Sequence, residues 1–196
     1  MSSVRPIETV YRGYRFRSRL EARWAVVLSC MGVRWEYEPE GFRLPSGKRY
    51  LPDFRVQCWG TRGRHDGPPF DLYIEVKGRM GQRDAAKIRE FVGEGHENPV
   101  LIVGDIPGEG QSHGGFMLGA YEPMDGTDLY PFNYETVDGD HFAAYPAAHR
   151  GHFYLWGDDS HYINQEDVEQ MECAYRIARQ ARFEHGEAPR GLVQRH

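Results

Sequence analysis

The sequence lacks any apolar run near the eighteen or more residues that mark a membrane-spanning helix. No membrane partner is expected. Residues 1–19 also lack the apolar stretch and small-residue cleavage site of a secretory signal, so a cytoplasmic protein is expected. Cysteine is scarce: Cys30, Cys58 and Cys173 are widely spaced and odd in number, which excludes a disulfide framework and a zinc knuckle. Cys30 and Cys173 are expected to pack as small apolar residues on helices. A general excess of positive charge is missing too, since the net charge is −5.

What is present is enough for a core. The 196 residues are 40% hydrophobic and 13% aromatic, a size that fits one globular unit with an extension better than two full domains. We expect a globular core over residues 1–107 and a packed C-terminal extension over 108–196. The charge is divided the same way. Residues 1–98 carry 18 Lys and Arg against 13 Asp and Glu, whereas residues 99–196 carry 6 against 16. Within the basic half, Arg12, Arg15, Arg17, Arg19 and Arg23 crowd between Tyr11 and Trp24, with Tyr14 and Phe16 interleaved and Glu21 the single acid. Such a segment suits phosphate binding. It equally suits a solvated helix flank paired with Glu36, Glu38 and Glu40.

Helix and strand signals alternate over the first half. Ser18 followed three residues on by Glu21 is a capping-box pattern. Leu20, Trp24, Val27, Leu28 and Met31 recur at helical spacing, and Gly32 provides a stop, so a helix is expected over roughly 19–31. Val33–Glu38 alternates as a strand. Residues 42–44 and 50–56, joined by the turn at 45–48, read as a hairpin. Gly60–Pro69 is rich in breakers and reads as an exposed loop before a strand at 70–77, a helix at 83–92, a loop at 93–98 and a buried strand at 99–104. Helix, three strands, helix, strand predicts an α/β fold with a mixed sheet flanked by helices. Beyond Ile106 periodicity fades. Short strands are expected near Gly115–Tyr121 and His152–Trp156, then a helix from a cap at Asn164–Asp167 to about His185, and a disordered tail from Gly186.

The chemistry concentrates at Asp53, Glu75 and Lys77. Asp53 and Glu75 fall near the ends of neighbouring predicted strands, and Lys77 follows Glu75 by two, on the same strand face. Phosphodiester hydrolysis uses a divalent cation to polarise a phosphoryl oxygen and activate water. Mg²⁺ takes one or two carboxylates and completes its shell with water and phosphate. Asp53 and Glu75 supply such ligands, the backbone carbonyl of Val76 can add an oxygen, and a lysine beside them can lower the pKa of attacking water or steady developing charge. Glu21, from the helix start, can add a third carboxylate for a second metal or a metal-bound water, or can merely complete the cap. A Glu-x-Lys triplet alone more often makes a cross-strand ion pair. Only its combination with an upstream Pro-Asp strand and a helical Glu raises it above that.

These blocks, Phe16–Trp24, Trp35–Pro39, Tyr50–Phe54 and Tyr73–Gly78, resemble the PD-(D/E)XK nuclease superfamily, most closely its phage-borne and transposon-associated branches. The resemblance covers about residues 11–104. It implies a restriction-endonuclease-like αβββαβ core, dependence on Mg²⁺ or Mn²⁺, DNA cleavage leaving a 5′-phosphate, and site roles for Glu21, Asp53, Glu75 and Lys77. Residues 105–196 resemble nothing recognisable.

Other features carry less. His141, His149, His152, His161 and Cys173 match no standard zinc spacing, and Gly104–Gly110 lacks the Lys-Ser/Thr of a phosphate loop. Phe132, Tyr134, Phe142, Tyr145, Phe153, Tyr154 and Trp156 read as core rather than as a base-stacking platform, because the acids around them repel phosphates. Two functions compete: a DNA endonuclease gripping the backbone through Arg12, Arg15, Arg17, Arg19 and Arg23, and a non-catalytic module whose acidic half binds a basic protein or occludes its own groove. A homodimer would deliver paired cuts, though no helix offers an obvious dimer seam.

Overall fold

The computed structural model describes residues 8–58, 69–78, 81–93, 100–108, 133–135, 141–149, 152–157 and 165–183. The chain enters through a hairpin that the sequence reading missed: β1 (Thr9–Tyr11) pairs antiparallel with β2 (Tyr14–Phe16). Arg12 and Gly13 between them both have positive φ, at 48° and 83°. That is the two-residue turn whose twist matches its strands.

Helix α1 (Arg19–Cys30) follows, within a residue of expectation. Ser18 caps it. Its side chain accepts from the Glu21 N–H at 3.2 Å and donates to the Glu21 carboxylate at 2.8 Å. Glu21 also accepts from the N–H of Arg17, one residue before the cap, at 3.1 Å. Gly32, at φ 71°, ends the helix. Its N–H and that of Val33 donate to the carbonyls of Ser29 and Leu28, which satisfies two otherwise orphaned acceptors.

Strand β3 (Trp35–Tyr37) comes next, and here the expected hairpin divides in two. β4 (Phe42–Arg43) pairs only with β5 (Arg49–Tyr50), as a separate ribbon. β6 (Phe54–Cys58) pairs antiparallel with β3 on one side and with β7 (Phe70–Val76) on the other. Pro52, having no N–H to contribute to a ladder, separates β5 from β6. After β7, helix α2 (Gln82–Val92) crosses over to β8 (Val100–Val103), which pairs parallel with β7. The order α1, β3, β6, β7, α2, β8 is the helix, three strands, helix and strand expected.

The acidic half extends the same sheet. β9 (Asn133–Glu135) and β10 (His141–His149) were not expected, whereas β11 (His152–Gly157) was. β11 joins β6 in parallel at Phe153 and Cys58, giving the order β8-β7-β6-β11-β10-β9 with β3 beside β6. Helix α3 (Gln165–Gln180) stops short of His185. The strand expected at Gly115–Tyr121, the loops expected at Gly60–Pro69 and 93–98 apart from Pro69 and Gly93, and the tail from Gly186 lie outside the described residues, as do His161 and the side chains of the aromatic series other than Phe153.

Alternation along β7 divides the core. Leu72, Ile74 and Val76 face α1 and α3, in one cluster with Trp24, Phe54 and Tyr175. Tyr73 faces α2, with Ile88, Phe91 and Tyr50. The result is a mixed sheet between one helix and a pair of helices, an α/β architecture.

Candidate active site

Asp53 stands one residue before β6, and Glu75 is the penultimate residue of β7. The two residues are only 2% and 4% exposed. Every carboxylate oxygen has a protein donor. Asp53 Oδ1 accepts from Arg17 Nη2 at 2.6 Å and Oδ2 from the Val76 backbone N–H at 2.7 Å. Glu75 Oε1 lies 2.6 Å from Lys77 Nζ, and Oε2 accepts from the Tyr50 hydroxyl at 2.8 Å. Val76 thus meets the site through its N–H.

Burial and then the neighbouring Glu75 charge push the Asp53 carboxyl up to about 7, against the Val76 hydrogen bond that favours its ionised form. Lys77 is raised as well, which for an ammonium favours the charged form. Burial alone would lower it, but the Glu75 carboxylate outweighs that and holds the ammonium above its ordinary value. Arg17 behaves likewise: burial opposes its charge, while Tyr37, Asp53 and Glu38 more than compensate. Burial also raises both tyrosines, Tyr37 and Tyr50, and the carboxylates they bond reinforce this, so both remain neutral donors.

Each partner is placed by packing. Phe91 of α2 stacks on Tyr50 and Phe42 with ring centroids 4.7 Å apart, and Ser46 in the β4–β5 turn bonds Glu90. This holds the ribbon that aims Tyr50 at Glu75. Tyr37 is set by Phe16 and Phe54, at 4.4 and 5.4 Å, and its hydroxyl donates to Glu21 at 2.6 Å. Glu38, at φ 46°, donates its backbone N–H to the Asp53 carbonyl and takes Arg17 Nε at 2.8 Å on its side chain.

Of the residues expected from sequence, the structure brings together Asp53, Glu75 and Lys77. Glu21 is 7% exposed and connects to them through Arg17, whose backbone N–H it accepts while the guanidinium holds Asp53. Among the described residues no three His, Cys, Asp or Glu side chains form a group able to hold a metal ion. The Glu21 carboxylate accepts from Ser18, from the Arg17 N–H and from the Tyr37 hydroxyl, which closes the cap and ties Arg17 and Tyr37 to it.

The basic segment separates into parts. Arg12 lies over the Tyr11 ring at 5.8 Å, and Arg15 pairs with the exposed Glu8 at 3.4 Å. Arg17 turns into the site, while Arg19 and Arg23 line a cavity with residues of α3. The pairing with the Glu36–Glu40 stretch is realised in part: Glu38 takes Arg17, and Glu36 takes Arg55 at 2.7 Å. Sequence reasoning missed Tyr37 and Tyr50. Their aromatic alternation marked them as strand residues, but nothing local announced which carboxylate each would meet.

No family model, curated protein or solved structure matches this chain. No helix among the described residues is long and apolar enough to cross a membrane.

Proposed function

We propose that this chain is a metal-dependent nuclease that hydrolyses phosphodiester bonds in DNA, with a restriction-endonuclease-like αβββαβ core formed by α1, β3, β6, β7, α2 and β8. The observation that carries this reading is the buried pair Asp53 and Glu75 with Lys77 bonded to one of them. Two carboxylates converge in a buried region that raises Asp53 to about 7, chiefly by desolvation, with Arg17 and Lys77 as their cationic partners. Such a donor set fits Mg²⁺ or Mn²⁺, which asks for one or two carboxylates. Asp53 and Glu75 would hold the cation, with the Val76 carbonyl and Glu21 as further oxygen donors. Bound there, it supplies polarisation of the phosphoryl oxygen and activation of water.

The chain's own residues define the remaining roles. Arg17, with its side chain 55% exposed, is the partner of Asp53 that can swing away when a cation takes its place. Lys77 keeps its proton, so it serves as a fixed positive charge beside the attacked phosphate rather than as a base. Tyr50 orients Glu75, and Glu21 orients Arg17.

Purified protein with Mg²⁺ or Mn²⁺ is expected to cut at least one of duplex, single-stranded or branched DNA. Asp53→Ala and Lys77→Ala should each lower the rate by about 10²-fold or more with the fold intact. Absence of cutting on the whole panel would overturn the reading. One observation favours a second reading, a non-catalytic binding module: all four oxygens of Asp53 and Glu75 already have protein partners. A module of that kind shows no thermal stabilisation by Mg²⁺ or Mn²⁺, whereas the nuclease does.

A further inference from the structure

On the other side of α1 lies a cavity of about 520 Å³ between the start of that helix and the end of α3. Arg19 and Arg23, one turn apart on α1, face Arg179 and Arg182 across it, with Gln180 and Phe183 completing its walls. No acidic side chain among the described residues lines it. Like charges gathered on one cavity repel each other, and α3 comes from a half of the chain that has only 6 Lys and Arg in residues 99–196. Two of those six are placed here. The Nε of Arg23 and an Nη of Arg179 are buried and have no hydrogen-bond acceptor among the described residues. Four guanidinium groups around one cavity, with no acid among the described residues in its lining, favour an anion there.

A guanidinium fork matches phosphate oxygens in pairs, which makes phosphate the anion this arrangement fits best. The N-terminal end of α1, where Arg19 is the first helical residue, adds its dipole in the same sense. Two residues along an α-helix turn about 200°, so Glu21 points away from the Arg19 and Arg23 face, and roughly the thickness of a helix, on the order of 10 Å, separates the cavity from Asp53 and Glu75. A phosphate held there is therefore not the one attacked.

We propose that this cavity is a second phosphate site, in which Arg19, Arg23, Arg179 and Arg182 hold a backbone phosphate of the nucleic acid away from the cut. The anion preference follows from the arginines alone. The identity of its bearer as nucleic acid rests on the nuclease reading.

The test measures binding of a fluorescently labelled duplex to the full chain in EDTA, where metal-dependent cutting is silent, over a series of salt concentrations. For Arg179→Gln with Arg182→Gln, affinity near 0.1 M salt should fall about tenfold or more, and the slope of log K against log [salt] should drop by about one to two. Arg182 is exposed, so Arg182→Gln alone keeps the fold and should show about half of the slope change. Arg179→Lys with Arg182→Lys should recover the slope. Unchanged affinity and slope in the Gln variants overturn the proposal. So does a result in which adenosine 5′-monophosphate or inorganic phosphate binds the wild type and not the variant while duplex binding is unaffected, because the ligand is then a free phosphate. If no DNA is cut yet duplex binding depends on these arginines, the nuclease reading fails and the phosphate site stands. If cutting depends on Asp53 and Lys77 while binding ignores the arginines, the phosphate site fails alone.

Discussion

Asp53 is held where its ionised form is disfavoured, at 2% exposure beside a second carboxylate, and its carboxyl is pushed up from 3.8 to about 7. A carboxyl whose folded value lies above its unfolded one binds its proton more tightly in the folded protein. The folded state is therefore penalised progressively as pH rises from about 4 to about 7, and the penalty is complete above that. Asp53→Asn removes the charge while its amide oxygen can still accept the Val76 N–H. It should melt several degrees above wild type at pH 8, with the difference closing towards pH 4, as followed by circular dichroism; for a chain of this size each kcal/mol moves the midpoint by roughly 2–4 °C. Saturating Mg²⁺ should raise the wild-type midpoint and leave Asp53→Asn unmoved. A variant less stable than wild type at pH 8 would count against a strained carboxylate pair.

At the scale of elements, the start of α1 joins folding to the site. Ser18 and Glu21 exchange hydrogen bonds, and Glu21 in turn holds Arg17 and Tyr37. Ser18→Ala should lower stability by about 1 kcal/mol in urea unfolding, the usual loss for a cap. It should also slow cutting, because Ser18 helps to fix the Glu21 carboxylate, the further oxygen donor of the proposed cation site. Loss of stability with full activity would separate cap from site. The β4–β5 ribbon has a comparable dual part, since it is packed on Phe91 of α2 and delivers the Tyr50 hydroxyl to Glu75. Tyr50→Phe keeps the ring stack and removes only the donor. Its expected signature is a lower kcat with little change in the melting midpoint.

At the scale of the whole molecule, the acidic half is built into the core. Phe153 of β11 and Ala174, Tyr175 and Ala178 of α3 are buried in the same cluster as Trp24 and Phe54, and the Trp24 and Tyr175 rings meet edge to face at 6.1 Å. Ala178 is 0% exposed. Ala178→Leu should cost about 1–3 kcal/mol by forcing α3 away from its neighbours, read as a lower denaturant midpoint. An unchanged midpoint would mean that α3 packs more loosely than its burial indicates.

The sequence by itself determined α1, α2, β7 and β8 and the part of the site that lies at the strand ends. Helix α1, with Ser18 and Gly32 at its ends, follows from capping and helical period. Asp53, Glu75 and Lys77 follow from period-two spacing on two strands, and both periods are properties of the backbone that any reader of the chain can apply. Only the tertiary structure decided the rest. Residues 42–56 yield a ribbon and a separate strand because Pro52 interrupts the ladder and β3 offers β6 a better partner. Tyr37 and Tyr50 find their carboxylates through aromatic packing that no local pattern encodes. The arginines near α1 part company because adjacent side chains on strand and helix point in different directions. Arg179 and Arg182, more than 150 positions beyond Arg23 in the sequence, come to face it only because helix packing brings distant segments together to bury apolar surface.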